Sequence, residues 1–434
     1  MPFDLSTITE PVNNKNFREC MDFFTEQKLS ARSAAFDLEW EKAAQKAVHI
    51  QTTSRNAGKT ANAGNKNERY LRRENARVLR AGRLNSCGRR LVVRKNGEGR
   101  NKSSVHQFAQ VYKHPERKTI SFGGLMSCGS VWECPVCASK ITEARRKELQ
   151  QAVKLWEEKN NSVLLLTLTR PHYKPDTCKE VTNGLNNATR RFYNSRGFKQ
   201  SAQNMGLAGR IKTLEPLYGE VNGWHTHSHT LLFIYGNINE KEIESLSKVL
   251  LSQWQAACFS AGLPVPNEHG LDLVAGNKAA AAYVSKWGIE SEMTKGHLKK
   301  GKKGDLVSPF GLLDLYAEGN EKAGELFVEY CEAFKGKRQL TWTRGLREKI
   351  GLEKEITEAE ILNKPEEDSE LFISVISHTW DKIIRSNRLL EFIEVCERGT
   401  KEDAQKWLDD LEWKEKVWRQ HNKNALRQAG LVIQ

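Results

Sequence analysis

His225, His227 and His229 occupy alternate positions in the run Gly223-Trp224-His225-Thr226-His227-Ser228-His229-Thr230-Leu231-Leu232-Phe233. Side chains on a β-strand alternate between its faces, so a strand here points all three imidazoles the same way. Imidazole is the commonest neutral nitrogen ligand, and three on one face can hold a divalent ion with positions left open for a substrate. The plain alternative is a solvated strand face, which would crowd three polar rings for no gain. Cysteines form the second set. Cys134-Pro135-Val136-Cys137 presents two thiolates to one ion, and Cys128 with Cys87 could complete a tetrahedral Zn²⁺ site. The gap between Cys87 and Cys128 is long, so His106 or His114 could stand in for Cys87. A redox-active C-x-x-C would sit in a strand–turn–helix context, which this segment lacks. Cys20, Cys178, Cys258, Cys331 and Cys396 stand alone and read as small buried apolar residues. The third candidate is Tyr283, in Ala279-Ala280-Ala281-Ala282-Tyr283-Val284-Ser285-Lys286-Trp287. Little bulk surrounds a tyrosine on such an alanine-rich helix, so its hydroxyl could approach another group closely. Taken alone, a tyrosine is more often packing than nucleophile. Its phenol titrates near a pKa of about 10, so attack needs help from a cation such as Lys286 or from a metal-bound phosphate oxygen.

Periodicity predicts the elements that position these residues. Val163-Leu164-Leu165-Leu166-Thr167-Leu168-Thr169 reads as a strand buried on both faces. Residues 210–218 alternate and form a second strand, and Asn222-Gly223 turns the chain into the histidine strand as a hairpin. A long helix buries Ile141, Leu149, Ala152, Val153 and Trp156; further helices are expected over 178–200, 240–261 and 278–287. Strands and helices interleaved around one antiparallel hairpin predict an α+β sheet domain over about 160–350. Residues 68–84 look helical, with Arg69, Arg73, Arg77 and Arg80 on one face. That stripe suits phosphate contacts, because each phosphate-bound cation releases counterions, although a single arginine there reads as a solvated surface residue. Residues 1–65 are polar and weakly periodic, and 51–67 read as a linker. The segment from 351 onward reads as helical, Trp- and charge-rich, without a metal-ligand or phosphate-loop motif. The expected divisions are a basic helical N-terminal region (1–84), a Cys-rich zinc segment with its connecting helix (85–157), the sheet domain (158–350) and a helical C-terminal region (351–434).

Composition narrows the partners. The chain has 434 residues, enough for two or three domains, and carries 68 Lys+Arg against 54 Asp+Glu, a net +14. An anionic partner follows, with nucleic acid the first candidate. No apolar run approaches the roughly 18 residues of a membrane span, and no membrane partner is expected. Met1-Pro2-Phe3-Asp4 lacks a positive flank and an apolar core, so a signal peptide is not expected and the cytoplasm is the expected compartment. In that compartment clustered cysteines point to metal, not to disulfides.

Four stretches, in this order, resemble the motifs of one family: Leu166-Thr167-Leu168-Thr169-Arg170-Pro171, the histidine run, Ala282-Tyr283-Val284-Ser285-Lys286-Trp287, and Phe334-Lys335-Gly336-Lys337-Arg338-Gln339-Leu340-Thr341-Trp342-Thr343-Arg344-Gly345-Leu346. With the Cys128/Cys134/Cys137 cluster before them, they resemble the HUH endonucleases of rolling-circle plasmids, in particular the large replication-initiator family of small Gram-positive plasmids. The resemblance covers about residues 85–350 and rests on motif order. It implies an HUH-endonuclease-type antiparallel sheet flanked by helices over 158–350, behind an N-terminal zinc-binding segment and between helical terminal regions. It also implies site-specific, metal-dependent nicking of one strand at a plasmid origin. Tyr283 would attack the scissile phosphate, free a 3′-hydroxyl for the polymerase and keep a 5′-phosphotyrosine link until strand transfer. The histidines would hold Mg²⁺ or Mn²⁺. His227 and His229 form the favoured pair, since Leu231 and Leu232 follow them as in the family motif; His225 is a third ligand or a supporting neighbour. Glu215 could add a carboxylate, or could be an ordinary surface strand residue.

Two departures stand out. The middle residue of the H-x-H unit is usually bulky and apolar, whereas here it is Ser228 or Thr226. Some relatives place a glutamate one turn before the tyrosine to end the cycle; here that position is Ala279, and Glu290, Glu292 or a second subunit's tyrosine could serve. Lys337, Arg338 and Arg344 around Trp342 suit single-stranded DNA, with core packing of Trp342 as the equal alternative. The implied partners are double-stranded origin DNA, single-stranded DNA, a host helicase and replication proteins, with a homodimer as one arrangement. Three other functions compete: a transposase or mobilisation relaxase of the same superfamily, which the late signature and zinc segment argue against; a non-catalytic zinc-dependent DNA-binding regulator; and a three-His zinc hydrolase, which would not need the positive charge.

Overall fold

A computed structural model describes residues 66–80, 82–92, 95–96, 103–104, 108–275, 306–365 and 367–413, all within the unit Gly64–Gln434. On the cysteine side, helix α1 (Lys66–Leu79) is followed by strands β1 (Phe108–Lys113) and β2 (Ile120–Gly123), which pair antiparallel. Helix α2 (Pro135–Glu157) begins at the C-x-x-C unit. Cys134 is its N-cap, the sulfur accepting from the Cys137 N–H at 3.5 Å, and Pro135 sits in the first turn, where a missing N–H costs nothing. The expected apolar face of α2, from Ile141 to Trp156, is buried.

Next come β3 (Ser162–Leu168), α3 (Cys178–Asn194), α4 (Arg196–Asn204), β4 (Leu207–Gly219), β5 (Gly223–Ile234), α5 (Glu240–Ser260) and β6 (Leu271–Ala275). Helices α6 (Pro309–Ala317) and α7 (Glu321–Phe334) and the short strand β7 (Thr341–Trp342) complete this part. Five strands form one antiparallel sheet in the order β6-β3-β5-β4-β7. The apolar run of β3 is buried on both faces because each face has its own cover. Val163 and Leu165, with Leu231 and Phe233 of β5, pack on Leu149 and Trp156 of α2. Leu164, Leu166 and Leu168, with Leu232, pack on Leu185 and Phe192 of α3 and Trp254 of α5. The predicted hairpin joins β4 to β5, with Gly219 opposite Gly223 and Glu215 opposite His227. Gly223 has φ +74°, and a Cβ there would lie 3.0 Å from the Lys174 backbone, so glycine fits this turn.

The C-terminal segment holds α8 (Leu346–Ile350), α9 (Glu358–Asn363), strand β8 (Glu370–Ile376), α10 (Ser377–Arg385), α11 (Leu389–Arg398) and a helix over 401–413. The strand departs from the helical expectation. Leu371-Phe372-Ile373-Ser374-Val375-Ile376 is rich in β-branched and aromatic residues, and it pairs with β1 to build the sheet β8-β1-β2. Trp380, Phe392 and Ile393 then share a core with Tyr70 of α1 and Val111 of β1. No described helix is long and apolar enough to cross a membrane.

The arginine stripe of α1 needs correction as a phosphate-contact surface. Arg69, Arg73 and Arg77 are buried. Arg69 donates to Ser139 Oγ at 3.1 Å, and the guanidiniums of Arg69 and Arg73 both lie 5.2 Å from the Tyr70 ring. Arg77 donates to the carbonyls of Leu84 and Cys87 and pairs with Glu74. Arg80 pairs with Glu133 at 3.2 Å and Glu332 at 3.4 Å. Spacing of three and four shows that one face is alike; it does not say whether water or protein covers it. Here the loop that carries Cys87 covers it, and the charge is offset inside the molecule.

Candidate functional site

The four cysteines converge as the sequence suggested. Cys87 Sγ lies 3.7 Å from Cys134 Sγ and 3.6 Å from Cys137 Sγ, and Cys128 Sγ lies 3.7 Å from Cys137 Sγ. All four are buried, with ligand atoms within 4.8 Å of one another. Sulfurs placed tetrahedrally at about 2.3 Å from a zinc ion stand about 3.8 Å apart, so this set fits zinc. Cys87 therefore completes the cluster. His114 is used elsewhere, its Nδ1 accepting from the N–H groups of Glu116 and Arg117, and His106 lies outside the described residues. Hydrogen bonds from Cys128, Cys134 and Cys137, with the Arg73 guanidinium nearby, hold the Cys87 thiol far below its usual range. Hydrogen bonding to Cys134 pushes Cys128 up, burial pushes Cys134 up, and hydrogen bonding to Cys128 pushes Cys137 up. Four sulfurs this close do not ionise together without a cation among them, which a divalent ion supplies.

The histidine strand is β5, flanked by β3 and β4. Its three imidazoles share one face: ring centroids of His225 and His227 are 4.1 Å apart, and those of His227 and His229 are 5.6 Å apart. Thr226 and Ser228 alternate to the buried face, where Thr226 meets Thr182 of α3 at 3.4 Å. Glu215 on β4 stands opposite His227, and its Oε2 lies 2.7 Å from His229 Nε2. The three histidine rings therefore form one row with Glu215 in contact at the His229 end, whereas among the described residues it is the cysteine group whose ligand atoms close around one point.

A second layer behind them went unnoticed in the sequence. Thr167 Oγ1 lies 3.1 Å from His229 Nδ1, and Thr169 Oγ1 lies 3.1 Å from His227 Nδ1. His225 Nδ1 meets His172 Nε2, and His172 Nδ1 lies 3.2 Å from the Asn222 carbonyl. Every Nδ1 of the trio is thus occupied. At His225 the neighbouring ring nitrogen accepts from Nδ1–H, which leaves the lone pair on Nε2, the atom that can bind an ion. At His229 Nε2–H donates to Glu215, and an ion binding there would replace that proton and turn the Thr167 hydroxyl into the acceptor for Nδ1–H. Burial, followed by the charge of neighbouring His172, brings the His225 pKa down to about 4, and burial also lowers that of His172. Both rings are accordingly neutral near pH 7. The signal was available: Thr167 on β3 and Thr169 just past its end are spaced by two, as are the histidines on β5, with Thr167 pairing with His229.

Tyr283, Lys286 and Glu290 lie outside the described residues. In the late motif, Lys337 Nζ lies 3.3 Å from Asn183 Oδ1, while Arg338 and Arg344 are exposed. Trp342 is half-buried at the edge of the α2-side core, with the Arg347 guanidinium 4.4 Å from its ring centre.

Residues 126–387 match the replication-protein family. Over 307 residues the chain is 27% identical to a protein described as Protein rep from Streptomyces lividans, covering 55% of this chain and 67% of that one. Over 140 residues it is 25% identical to a protein described as Neomycin resistance protein from Streptomyces cyanogenus, covering 26% of this chain and 31% of that one. No solved structure gives a significant match.

Proposed function

The chain belongs to the replication-protein family, and from that premise we propose that it initiates rolling-circle plasmid replication by nicking one strand of origin DNA. The observation that carries this reading is the trio His225, His227 and His229, each with Nδ1 occupied and beside the Glu215 carboxylate. On this reading 158–350 is an HUH-type endonuclease domain, and the cysteine segment is a structural zinc module beside it. His227, His229 and Glu215, with His225, would hold Mg²⁺ or Mn²⁺. When bound, such an ion polarises a phosphate oxygen and offsets charge in the transition state. The Tyr283 oxygen attacks phosphorus, the bond from phosphorus to the 3′ oxygen breaks, and the strand is left with a 3′-hydroxyl and a 5′-phosphotyrosine. Lys286, three residues on in the sequence, would favour the ionised phenol through its charge. Glu290 is the proposed base for the water that releases the protein at the end of a cycle. The partners are duplex origin DNA, the displaced single strand and the host replication machinery.

The test is direct. Incubation of the protein with supercoiled plasmid carrying its own origin, plus Mg²⁺ or Mn²⁺, should give open circles with protein attached to the 5′ end. Open circles without attached protein, or no opening at all, would sink the reading and leave a binding-only regulator.

The threonine layer gives a second expectation. Thr169→Val keeps the shape of the side chain and removes the acceptor for His227 Nδ1–H; Thr167→Val does the same for His229. Partners that orient ligating histidines are worth about 10–100-fold in metal affinity. A Mn²⁺ titration followed by electron paramagnetic resonance should show a loss of that order in each valine variant and recovery in Thr→Ser. Equal affinity in Val and wild type would mean the hydroxyls do not orient the rings.

A further inference from the structure

One group of cations is held by neutral partners. Lys337 Nζ lies 3.3 Å from Asn183 Oδ1, Lys212 Nζ lies 3.1 Å from Asn186 Oδ1, and the Arg210 guanidinium lies 4.0 Å from the Tyr193 ring centre. Asn183 and Asn186 are three apart on α3, and Tyr193 follows seven later on the same face. Helical rise therefore sets the three contacts about 4.5 and about 10 Å apart along the axis. Arg210 and Lys212 alternate on β4 and share one face of that strand. Elsewhere, Arg72, Arg80 and Arg145 meet carboxylates: Asp314, Glu133 and Glu148. Among the described residues, no carboxylate pairs with Arg210, Lys212 or Lys337.

From this row of three uncompensated cations along α3 we infer a binding track for the phosphates of a single DNA strand. Amides and an aromatic ring fix the positions of the charges without cancelling them, so the charge is left for an anion. Burial, with Arg210 and Lys337 nearby, lowers the Lys212 pKa, as expected of a desolvated cation that lacks an anionic neighbour. Three positive groups in file suit a chain of regularly spaced anions better than one compact ion. The track lies on the α3 face of the sheet, the face opposite the three histidines: Lys212 pairs with Thr230, whose hydroxyl accepts from Tyr193 of α3. It gives no base-edge readout, so the binding it supplies is independent of sequence.

The inference rests on the DNA-processing reading above, and the test separates the two. Fluorescein-labelled oligodeoxythymidylate and a hairpin duplex of equal length are titrated at several salt concentrations with wild type, with the triple variant Arg210→Gln/Lys212→Gln/Lys337→Gln, and with Asn183→Asp/Asn186→Asp. Each phosphate contact on a single strand contributes about 0.7 to the slope of log affinity against log salt. The triple variant should lose about 2 from that slope with the oligonucleotide, and less with the duplex. The aspartate variant, which neutralises two of the cations in place, should weaken oligonucleotide binding while its thermal melt stays that of the wild type. An unchanged slope in the triple variant overturns the track and leaves the nicking proposal standing. An equal loss on the duplex overturns the single-strand assignment. A wild type that binds neither probe overturns both.

Discussion

Cys137→Ser, or a strong zinc chelator acting on the unaltered chain, is expected to remove the cooperative thermal transition of the cysteine side. Cys134 and Cys137 sit in one core with Ile141, Trp224, Phe327 and Phe334, so the cluster is embedded and not appended. A structural zinc site in isolated finger peptides contributes apparent free energies of about 10–16 kcal/mol. Whole domains are stable by only about 5–15 kcal/mol, so even part of that contribution decides whether this region folds. Loss of the ion also leaves three or four thiols against the buried guanidinium of Arg73, whose charge the sulfurs and Glu74 partly offset. Mass spectrometry of the native protein should report one zinc per chain, and calorimetry with chelator should show the transition lost. Cys331→Ala is the control: a lone buried thiol in the same core, its loss is expected to cost about 1 kcal/mol and no zinc. A native protein without zinc and with a chelator-indifferent melt would reduce the cluster to four packed thiols.

Legibility in the sequence followed locality. The histidine strand, its hairpin and the C-x-x-C knuckle are written in short runs whose period or turn chemistry allows few alternatives, and the structure has them where the runs lie. Cys87 was the harder member, because closure over a long gap depends on how α1 and its loop fold back. The arginine face of α1 shows the limit of periodicity. Its spacing matched a phosphate-contact stripe, but the face is covered by the loop that follows the helix and by Ser139, Glu133 and Glu332 from farther along the chain, which the pattern does not see. Strand β8 was hidden in another way: a β-prone run embedded in charged helical sequence has no local partner, and it becomes a strand only by pairing with β1, more than two hundred residues earlier. The same holds for Thr167, Thr169 and His172. Thr167 and Thr169 lie in a run that the sequence marks, yet their contacts with the histidines come only from the register of β3 with β5, and the role of His172 comes from the turn at Asn222.

Tyr283→Phe and His229→Ala are expected to abolish nicking by different routes, and the difference tests which group attacks phosphorus. Phenylalanine keeps the ring and drops the nucleophilic oxygen, so Mn²⁺ binding and oligonucleotide binding should persist while open circles and the 5′ adduct both disappear. His229→Ala removes an imidazole nitrogen and strips Glu215 of its partner at 2.7 Å. Mn²⁺ affinity should then fall together with nicking. Charge stabilisation by such an ion is worth several kcal/mol, and each 1.4 kcal/mol is a factor of ten, so the rate loss is on the order of 10³-fold. His225→Ala should lose less, since its Nδ1 leans on His172 at the outer end of the row, away from the His229–Glu215 contact. Single-turnover nicking, adduct yield and Mn²⁺ affinity on the same preparations separate these outcomes. A Tyr283→Phe protein that still opens plasmid at the wild-type rate, while His229→Ala does not, would assign the attack to a water at the histidine site and remove the covalent step from the mechanism.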